Sequence, residues 1–395
     1  MIMSLIIQKY GGSSLGNIDR IHAVADRILA TRAQGHDVVV VVSAMAGETD
    51  RLIHLAQQIQ SEPASREYAV LLSSGEQASI ALIAMALISR GQAACSFTAS
   101  QVRILTDNRH QKARITGIED RAIRANLAAG QVVVVAGFQG VSESGDVTTL
   151  GRGGSDATAV ALAAAMHAKE CQIFTDVDGV YSADPRVIPE AQLIPEISYE
   201  EMLAFASHGA KVMQNRAVEL AAHHGVPLRV ASSFGEGEGT LLTSHDVGLQ
   251  QARVTGITWQ TDGVLCRVSG LPSEPGLSSA LFAQLMQADV AVDFFREGQA
   301  EDGLWIEGLV SAAEQATVQR VLETFGLVTF ISAATISLVG RGLHEDATIM
   351  QQFAGVLASQ KIAIWGLQRT DHHLTVLLDM AQVSALSSLL HTAFA

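Results

Sequence analysis

Among 395 residues there are only three cysteines, Cys95, Cys171 and Cys266, and none falls into CxxC or another metal-ligand spacing. That spacing excludes a disulfide framework and a cysteine metal site, and the three are expected as small core thiols, kept reduced in a cytoplasmic protein. Proline is scarce, at 7 residues, and only 17% of the chain is charged against 48% hydrophobic, so the chain folds rather than remaining disordered. Basic residues are in deficit: 26 Lys and Arg face 40 Asp and Glu, a net charge of -14. A general nucleic-acid or anionic-membrane binder needs a basic face, so any anion must be held by a few placed cations. No apolar run reaches about 18 residues without a break, and the N-terminus lacks the basic flank and cleavage site of a signal peptide, so a soluble chain is expected. Neither GxxxxGK[ST] nor HExxH occurs, which argues against a P-loop kinase and a zincin.

What is present begins with LIIQKYGGSSLGNIDR, residues 5–20. Leu5, Ile6 and Ile7 predict a strand, and the apolar spacing after Asn17 predicts a helix. Lys9 and the glycines therefore fall on a strand-to-helix turn. Such a turn lets a backbone approach an anion closely, although a tight turn with a solvated lysine has the same composition.

From the start to about residue 243, Val/Ile-rich runs (36–46, 130–139, 170–178 and 226–234) alternate with Ala-rich amphipathic stretches (79–89, 156–167). Continuous β-branched runs between helices predict a mainly parallel sheet buried on both faces, an αβα sandwich. Ligands of such sheets lie beyond the carboxyl ends of the strands. After residue 254 the texture changes to two successive units of like element order. The first runs from a strand at 264–271 through a helix at 277–287, strands at 290–296 and 304–310, a helix at 312–325 and a closing strand at 327–331. The second runs from a strand at 335–341 through a helix at 347–359, strands at 362–368 and 374–379, and a helix at 383–394. The second lacks a last strand, which residues 254–259 can supply, so the first unit (about 263–331) is expected as an insertion in the second (about 254–259 plus 332–395). The expected organisation is thus a domain over 1–245 followed by two ferredoxin-like βαββαβ units over 254–395.

Four more segments gather small, polar and charged residues at strand or helix ends: 42–50, 137–156, 174–186 and 209–216. A GRGGSD run forms a glycine nest for anions, and an arginine there can grip a carboxylate with two parallel bonds. In order, KYGGSSL, VVSAMAGETD, SSGEQ, TTLGRGGSDATA, TDVDGVYSADPR, ISYEEML and HGAKV resemble the motifs of the aspartokinases, within the amino acid kinase superfamily, over the whole N-terminal half. Tyr10 stands where that family usually has Phe. The resemblance implies the amino acid kinase fold, transfer of the ATP γ-phosphoryl group to the side-chain carboxylate of L-aspartate to give 4-phospho-L-aspartate, and Mg2+ held mainly by the nucleotide phosphates. It implies that Lys9 sits over the phosphoryl group, with N–H groups of Gly11, Gly12 and Ser13 as donors and Asp156 holding the lysine. Arg152 would take the substrate's carboxylate and Glu76 its ammonium, with Ser43, Thr49, Phe138 and Ser155 lining the pocket. Thr175, Asp176 and Tyr181 would meet the base and ribose, and Arg186 and Lys211 the phosphates. No protein metal site is implied.

The C-terminal units resemble the paired ACT domains of the same family, which implies lysine or threonine as effectors and a homodimer or larger homo-oligomer. Pro275, Gly276 and Asp293 are the matching effector residues of the first unit. In the second, Glu345-Asp346-Ala347 replaces the usual PGV turn, and residues 366–375 replace the usual STSEIxIS segment, so feedback is expected to be weakened there. From Gly256 onward, 14 acidic residues face 6 basic ones. Another kinase of the superfamily, acting on glutamate, carbamate or a nucleotide, and a non-catalytic amino-acid-sensing subunit are the competing readings. The two ACT-like units and the SSGEQ and GRGGSD motifs disfavour the former, and the intact Lys9, Arg152, Asp156 and Lys211 the latter.

Overall fold

The computed structural model describes residues 4–210, 212–244, 252–301 and 303–394. The chain divides into two units: residues 1–180, 193–206 and 211–246 in the first, and residues 181–192, 207–210 and 247–395 in the second. Lys211 lies outside the described residues.

In the first unit the elements are β1 (Ser4–Tyr10), α1 (Ile18–Ala33), β2 (His36–Val42), α2 (Glu48–Ile59), α3 (Ser65–Ile88), β3 (Ala94–Phe97), β4 (Ile104–Thr106), β5 (Ile115–Ile118), α4 (Arg121–Ala128), β6 (Val132–Ala136), β7 (Gln139–Val141), β8 (Val147–Thr149), α5 (Gly154–Met166), β9 (Glu170–Thr175), β10 (Glu196–Ser198), α6 (Tyr199–Ser207), α7 (Asn215–His224), β11 (Leu228–Ser232) and β12 (Thr240–Thr243). The main sheet has the order β10-β12-β11-β9-β1-β2-β6-β3 and is parallel except for the β11–β12 pair. The valines of β2 and β6 are fully buried, as strands covered on both faces require. One face packs Val38, Val40 and Val42 against Ile21, Val24 and Ile28 of α1 and Ile80, Ile83 and Leu87 of α3. The other carries α5, whose Gly, Ser and Ala residues are buried almost all round and bring its axis close to the strands.

A second, four-stranded sheet, β5-β4-β7-β8, had no counterpart in the sequence pattern, because its strands are only three or four residues long. Helix α3 begins 14 residues before the amphipathic stretch that predicts it, and so carries SSGEQ in its middle. At 24 residues it is long and apolar enough to cross a bilayer, yet over half of its apolar window is buried inside this unit, so it is a core helix.

Tyr10 is fully buried and stacks on Phe174 with ring centroids 4.9 Å apart. Its hydroxyl donates to Gln8 Oε1 (3.2 Å), and Gln8 Nε2 donates to Thr31 Oγ1 (2.8 Å) and Gln172 Oε1 (3.0 Å). The extra oxygen at this position is thus satisfied by a buried amide network.

The second unit contains β13 (Arg253–Leu271), α8 (Leu277–Gln287), β14 (Asp293–Ala300), β15 (Gly303–Ser311), α9 (Gln315–Leu322), β16 (Leu327–Arg341), α10 (Ala347–Ser359), β17 (Gly366–Arg369), β18 (His373–Asp379) and α11 (Val383–Phe394). All six strands join one antiparallel sheet of order β14-β15-β13-β16-β18-β17. Residues 254–259 and 264–271, expected as separate strands, are one 19-residue strand, and 327–331 continues directly into 335–341. Each long strand therefore serves two βαββ units. One core lies under α8 and α9, with Leu281, Leu285, Val318 and Leu322, and the other under α10 and α11, with Phe353, Leu357, Leu386 and Leu390. Segment 181–192 is held in this unit by Ser182, whose carbonyl accepts from Ile257 N (2.7 Å) and whose hydroxyl meets His391 Nε2 (2.9 Å).

The three cysteines are free thiols, two of them buried. Burial pushes the Cys266 thiol up to about 12.

Candidate active site

Side chains alternate along β1, so Gln8 and Tyr10 face α1 while Ile7 and Lys9 face α5. Lys9 is 9% exposed, and its Nζ lies 2.6 Å from Asp156 Oδ1 in the first turn of α5. Beyond Tyr10 the chain turns through Gly11 and Gly12 into a 3-10 turn at Ser13–Leu15, and Asn17 caps α1 by accepting from Arg20 N (3.0 Å). A Cβ on Gly11 would stand 3.4 Å from Lys9 Nζ, and one on Gly12 3.0 Å from Ala44 O, so glycine leaves open the space around the ammonium. Gly11 N–H points to Phe174 O at 3.4 Å, whereas Gly12 and Ser13 open the 3-10 turn, where the first N–H groups have no partner within the helix.

Contacts lead from this turn round the ends of β2, β6 and α5. Ser43 N donates to Tyr10 O (3.1 Å), which places Ser43 at the end of β2, and half-buried Thr49 follows in α2. Gly75 brings α3 so close that a Cβ would lie 2.8 Å from that of Ala44. The next residue, Glu76, is 3% exposed, and its Oε1 accepts from Ala44 N (3.1 Å) while Oε2 has no hydrogen-bond partner. Burial pushes the Glu76 carboxyl up to about 7 against the opposing pull of the Ala44 N–H. Glu76 sits in mid-helix, so it does not complement a helix start.

Gly137 N donates to Val42 O (3.0 Å), and a Cβ there would overlap Ser155 Oγ at 2.7 Å. Phe138 follows with φ of 68°, a left-handed conformation that non-glycine residues adopt rarely and mostly where the surroundings enforce it. Phe138 O accepts from Leu150 N (2.8 Å), and its ring packs on Gly154, so it is more than core filling. Gly151 (φ 81°) and Gly153 (φ 70°) flank Arg152, which is exposed and has no ion-pair partner among the described residues. Lys9, Gly11, Gly12, Ser13, Ser43, Glu76, Phe138, Arg152, Ser155 and Asp156 thus gather at the carboxyl ends of β1, β2 and β6 and the start of α5, with Thr49 in the helix that follows β2.

The residues expected at the nucleotide are less uniform. Thr175 ends β9, and its hydroxyl donates to Asp176 Oδ1 (3.2 Å). Tyr181 and Arg186 belong to the 181–192 segment of the second unit. Arg186 donates to both oxygens of Asp184, at 3.0 and 2.7 Å, which makes the DPR turn internally paired.

In the second unit Gly276 (φ 88°) caps α8 beside exposed Pro275. Asp293 lines a cleft of about 530 Å³ with Ser278, Ser279, Phe282, Phe294 and Phe295. At the matching point of the second ACT-like half, Asp346 Oδ1 accepts from Thr348 N (2.6 Å) and Ile349 N (3.4 Å) at the start of α10. These bonds hold its carboxyl below the usual range.

Sequence reasoning passed over the Ala44 N–H, Gly75 and Gly137, none of which has a reactive side chain to betray it. Arg216 ends the 209–216 segment, whose sequence gives it no distinct role. That guanidinium donates to Leu150 O (2.9 Å) and Ala113 O (2.7 Å).

The model of the amino acid kinase family matches residues 4–232. The full chain is 45% identical to the aspartokinase of Pseudomonas aeruginosa, over 99% of this chain and 98% of the relative. The chain belongs to the aspartokinases. It is also 40% identical to the Corynebacterium glutamicum aspartokinase, over 99% of this chain and 96% of that one. Among solved structures, the aspartate kinase from Synechocystis is 36% identical with a TM-score of 0.57, covering 99% of this chain and 69% of that one. Escherichia coli aspartokinase III in complex with aspartate and ADP is similar in fold, with a TM-score of 0.80 at 24% identity over 98% and 99% of the two chains.

Proposed function

We propose that the first unit transfers the γ-phosphoryl group of ATP to the side-chain carboxylate of L-aspartate, giving 4-phospho-L-aspartate. One observation carries this reading: a nearly buried Lys9–Asp156 pair ends the same strand cluster as Glu76, whose second carboxylate oxygen is buried without a partner. In the pair, Asp156 holds the Lys9 ammonium as the positive charge where a phosphoryl group would transfer, and the spare oxygen of Glu76 suits a substrate ammonium.

A carboxylate nucleophile is already ionised near neutral pH, so no general base is required. The protein's tasks are positioning and charge stabilisation. Lys9 lies where charge develops on the transferring group, with the N–H groups of Gly12 and Ser13 alongside. Asp156 fixes the ammonium. Glu76 receives the substrate's ammonium, Arg152 its α-carboxylate, and Ser43, Thr49, Phe138 and Ser155 close the pocket. Thr175, Asp176, Tyr181, Arg186 and Lys211 are assigned to ATP. Mg2+ would travel on the nucleotide phosphates as a largely hydrated cation and draw no cage from the protein.

Residues 1–245 form the catalytic part in this reading, and 254–395 the regulatory part, with the 263–331 unit inserted between 254–259 and 332–395. Lysine or threonine would act on the regulatory part of a cytoplasmic homo-oligomer. The decisive assay measures ADP release with and without aspartate, traps the acyl phosphate with hydroxylamine, and uses glutamate as the control acceptor. Aspartate-dependent ADP and hydroxamate support the reading, and ADP release indifferent to aspartate would overturn it.

A further inference from the structure

The loop that carries Arg152 has two left-handed glycines as its immediate neighbours, so its own backbone does little to fix where the guanidinium points. Something outside the loop must hold it. The contacts that do so come from α7 and the residue before it.

Arg216, half-buried on α7, spends two donors on main-chain carbonyls, Leu150 O at 2.9 Å and Ala113 O at 2.7 Å. Leu150 lies two residues before Arg152. Ala113 is the fully buried end of a loop whose own amide donates to Thr149 O (2.9 Å). One planar fork thus ties the neighbouring loop, at Ala113, to the segment it pairs with, which at Leu150 leads into the Arg152 turn. On its far side, Gln214 packs against Gly153 so tightly that a Cβ there would lie 2.1 Å from Gln214 Cγ. The Arg152 turn is gripped before and after the arginine by neighbouring residues of one segment. The guanidinium is partly desolvated and near Arg114, which holds its proton affinity below the ordinary arginine value. Keeping a cation there is unfavourable unless its donors are used, and here they are used on the Leu150 carbonyl before the turn and the Ala113 carbonyl of the loop paired with it.

We infer that Arg216 is a positioning residue for aspartate recognition: it holds the Leu150–Gly153 turn so that Arg152 meets the substrate carboxylate. The inference rests on the functional reading above and extends it to a residue that touches no substrate. Lysine cannot replace it, because an ammonium has no planar fork to span two carbonyls.

The test is steady-state kinetics on Arg216→Lys and Arg216→Met, with each substrate varied in turn, and a cycle with Arg152→Ala. The expected result for Arg216→Lys is a rise in the aspartate KM of about tenfold, with the ATP KM within about twofold of wild type. In the Arg152→Ala background, Arg216→Lys should change kcat/KM for aspartate by less than about twofold, because the turn no longer carries the group it positions. Equal rises in both KM values, or full additivity with Arg152→Ala, would make Arg216 a support of the fold and overturn the inference. Unaltered kinetics in Arg216→Lys would overturn it too. Should Arg216→Met fail to fold, the Arg216→Lys cycle decides alone. A wild-type enzyme that releases no ADP in response to aspartate would bring down the functional reading itself, whereas an active wild type with an unaffected Arg216→Lys brings down only this step.

Discussion

The proposed role of Glu76 as partner of the substrate ammonium predicts that aspartate binding is linked to a proton. Burial pushes the Glu76 carboxyl up to about 7, against the pull of the Ala44 N–H on one oxygen, while the other oxygen has no hydrogen-bond partner. A substrate ammonium can pair only with the ionised form. Between pH 8 and pH 6 the ionised fraction of a group titrating near 7 falls about tenfold, so kcat/KM for aspartate should fall about tenfold over that range. Binding should release about 0.8 proton at pH 6.5 and about 0.1 at pH 8, read as the buffer dependence of the calorimetric enthalpy. Glu76→Gln keeps the acceptor for Ala44 N–H but turns an NH2 group toward the substrate ammonium. It should remove the pH dependence and weaken aspartate about 10- to 150-fold, the equivalent of one charged hydrogen bond of about 1.5–3 kcal/mol. Stability follows the same linkage. A folded value raised from 4.5 means that the carboxyl's contribution is complete below pH 4.5 and is lost as pH rises through about 7. The loss is on the order of 3 kcal/mol, and bound aspartate restores it. Melting wild type and Glu76→Gln at pH 5.5 and 7.5, with and without aspartate, isolates this share. A flat aspartate profile from pH 6 to 8 with no buffer-dependent heat would refute the assignment of Glu76 to the ammonium.

Lys9→Ala should slow turnover on the order of 10²-fold or more with the fold intact, the usual cost of one preorganised charge donor, and a variant within about threefold of wild type would remove Lys9 from its role. Arg152→Lys should weaken aspartate use far more than ATP use, since an ammonium lacks the two-donor fork; equal losses would put Arg152 on the nucleotide side. Gly153→Ala places a Cβ 2.1 Å from Gln214 Cγ at φ 70°, so it should raise the aspartate KM and lower the melting temperature, and an unchanged KM would show that the turn tolerates displacement. In the second unit, Asp346 caps the start of α10, where the proposed effector's carboxylate would sit, so calorimetry should find lysine or threonine bound at no more than one site per chain. Asp346→Gly should open the second site, and two tight sites in the wild type would show that the existing cap is no obstacle.

The layered kinase fold was legible because β2 and β6 are nearly pure valine, and a strand buried on both faces leaves that mark in any sequence. The α8, α10 and α11 helices were legible to the residue, for each carries one apolar stripe, and Gly276 and Asp346 mark the starts of α8 and α10. The joining of 254–259 to 264–271 was not. Gln260-Thr-Asp-Gly263 has the composition of a turn, yet it continues the strand through a register shift opposite Ala333. Local chemistry there points to a break, and pairing with β16 overrides it.

The residues of the candidate site were legible for a different reason from the fold. Lys9, Glu76, Arg152 and Asp156 carry reactive side chains in motifs whose order resembles one family, so their types and spacing announce them. What holds them does not. Glu76 is tuned by a main-chain N–H of Ala44, brought within reach by Gly75, and Arg152 is aimed through carbonyls of Leu150 and Ala113. Every residue except proline carries such an N–H, and every residue such a carbonyl, so neither leaves a mark in composition or periodicity. Arg216 is the exception that shows the limit. A guanidinium on an amphipathic helix is most often a solvated surface charge, and only the two carbonyls at its tip, more than sixty and one hundred residues away in sequence, distinguish it from one.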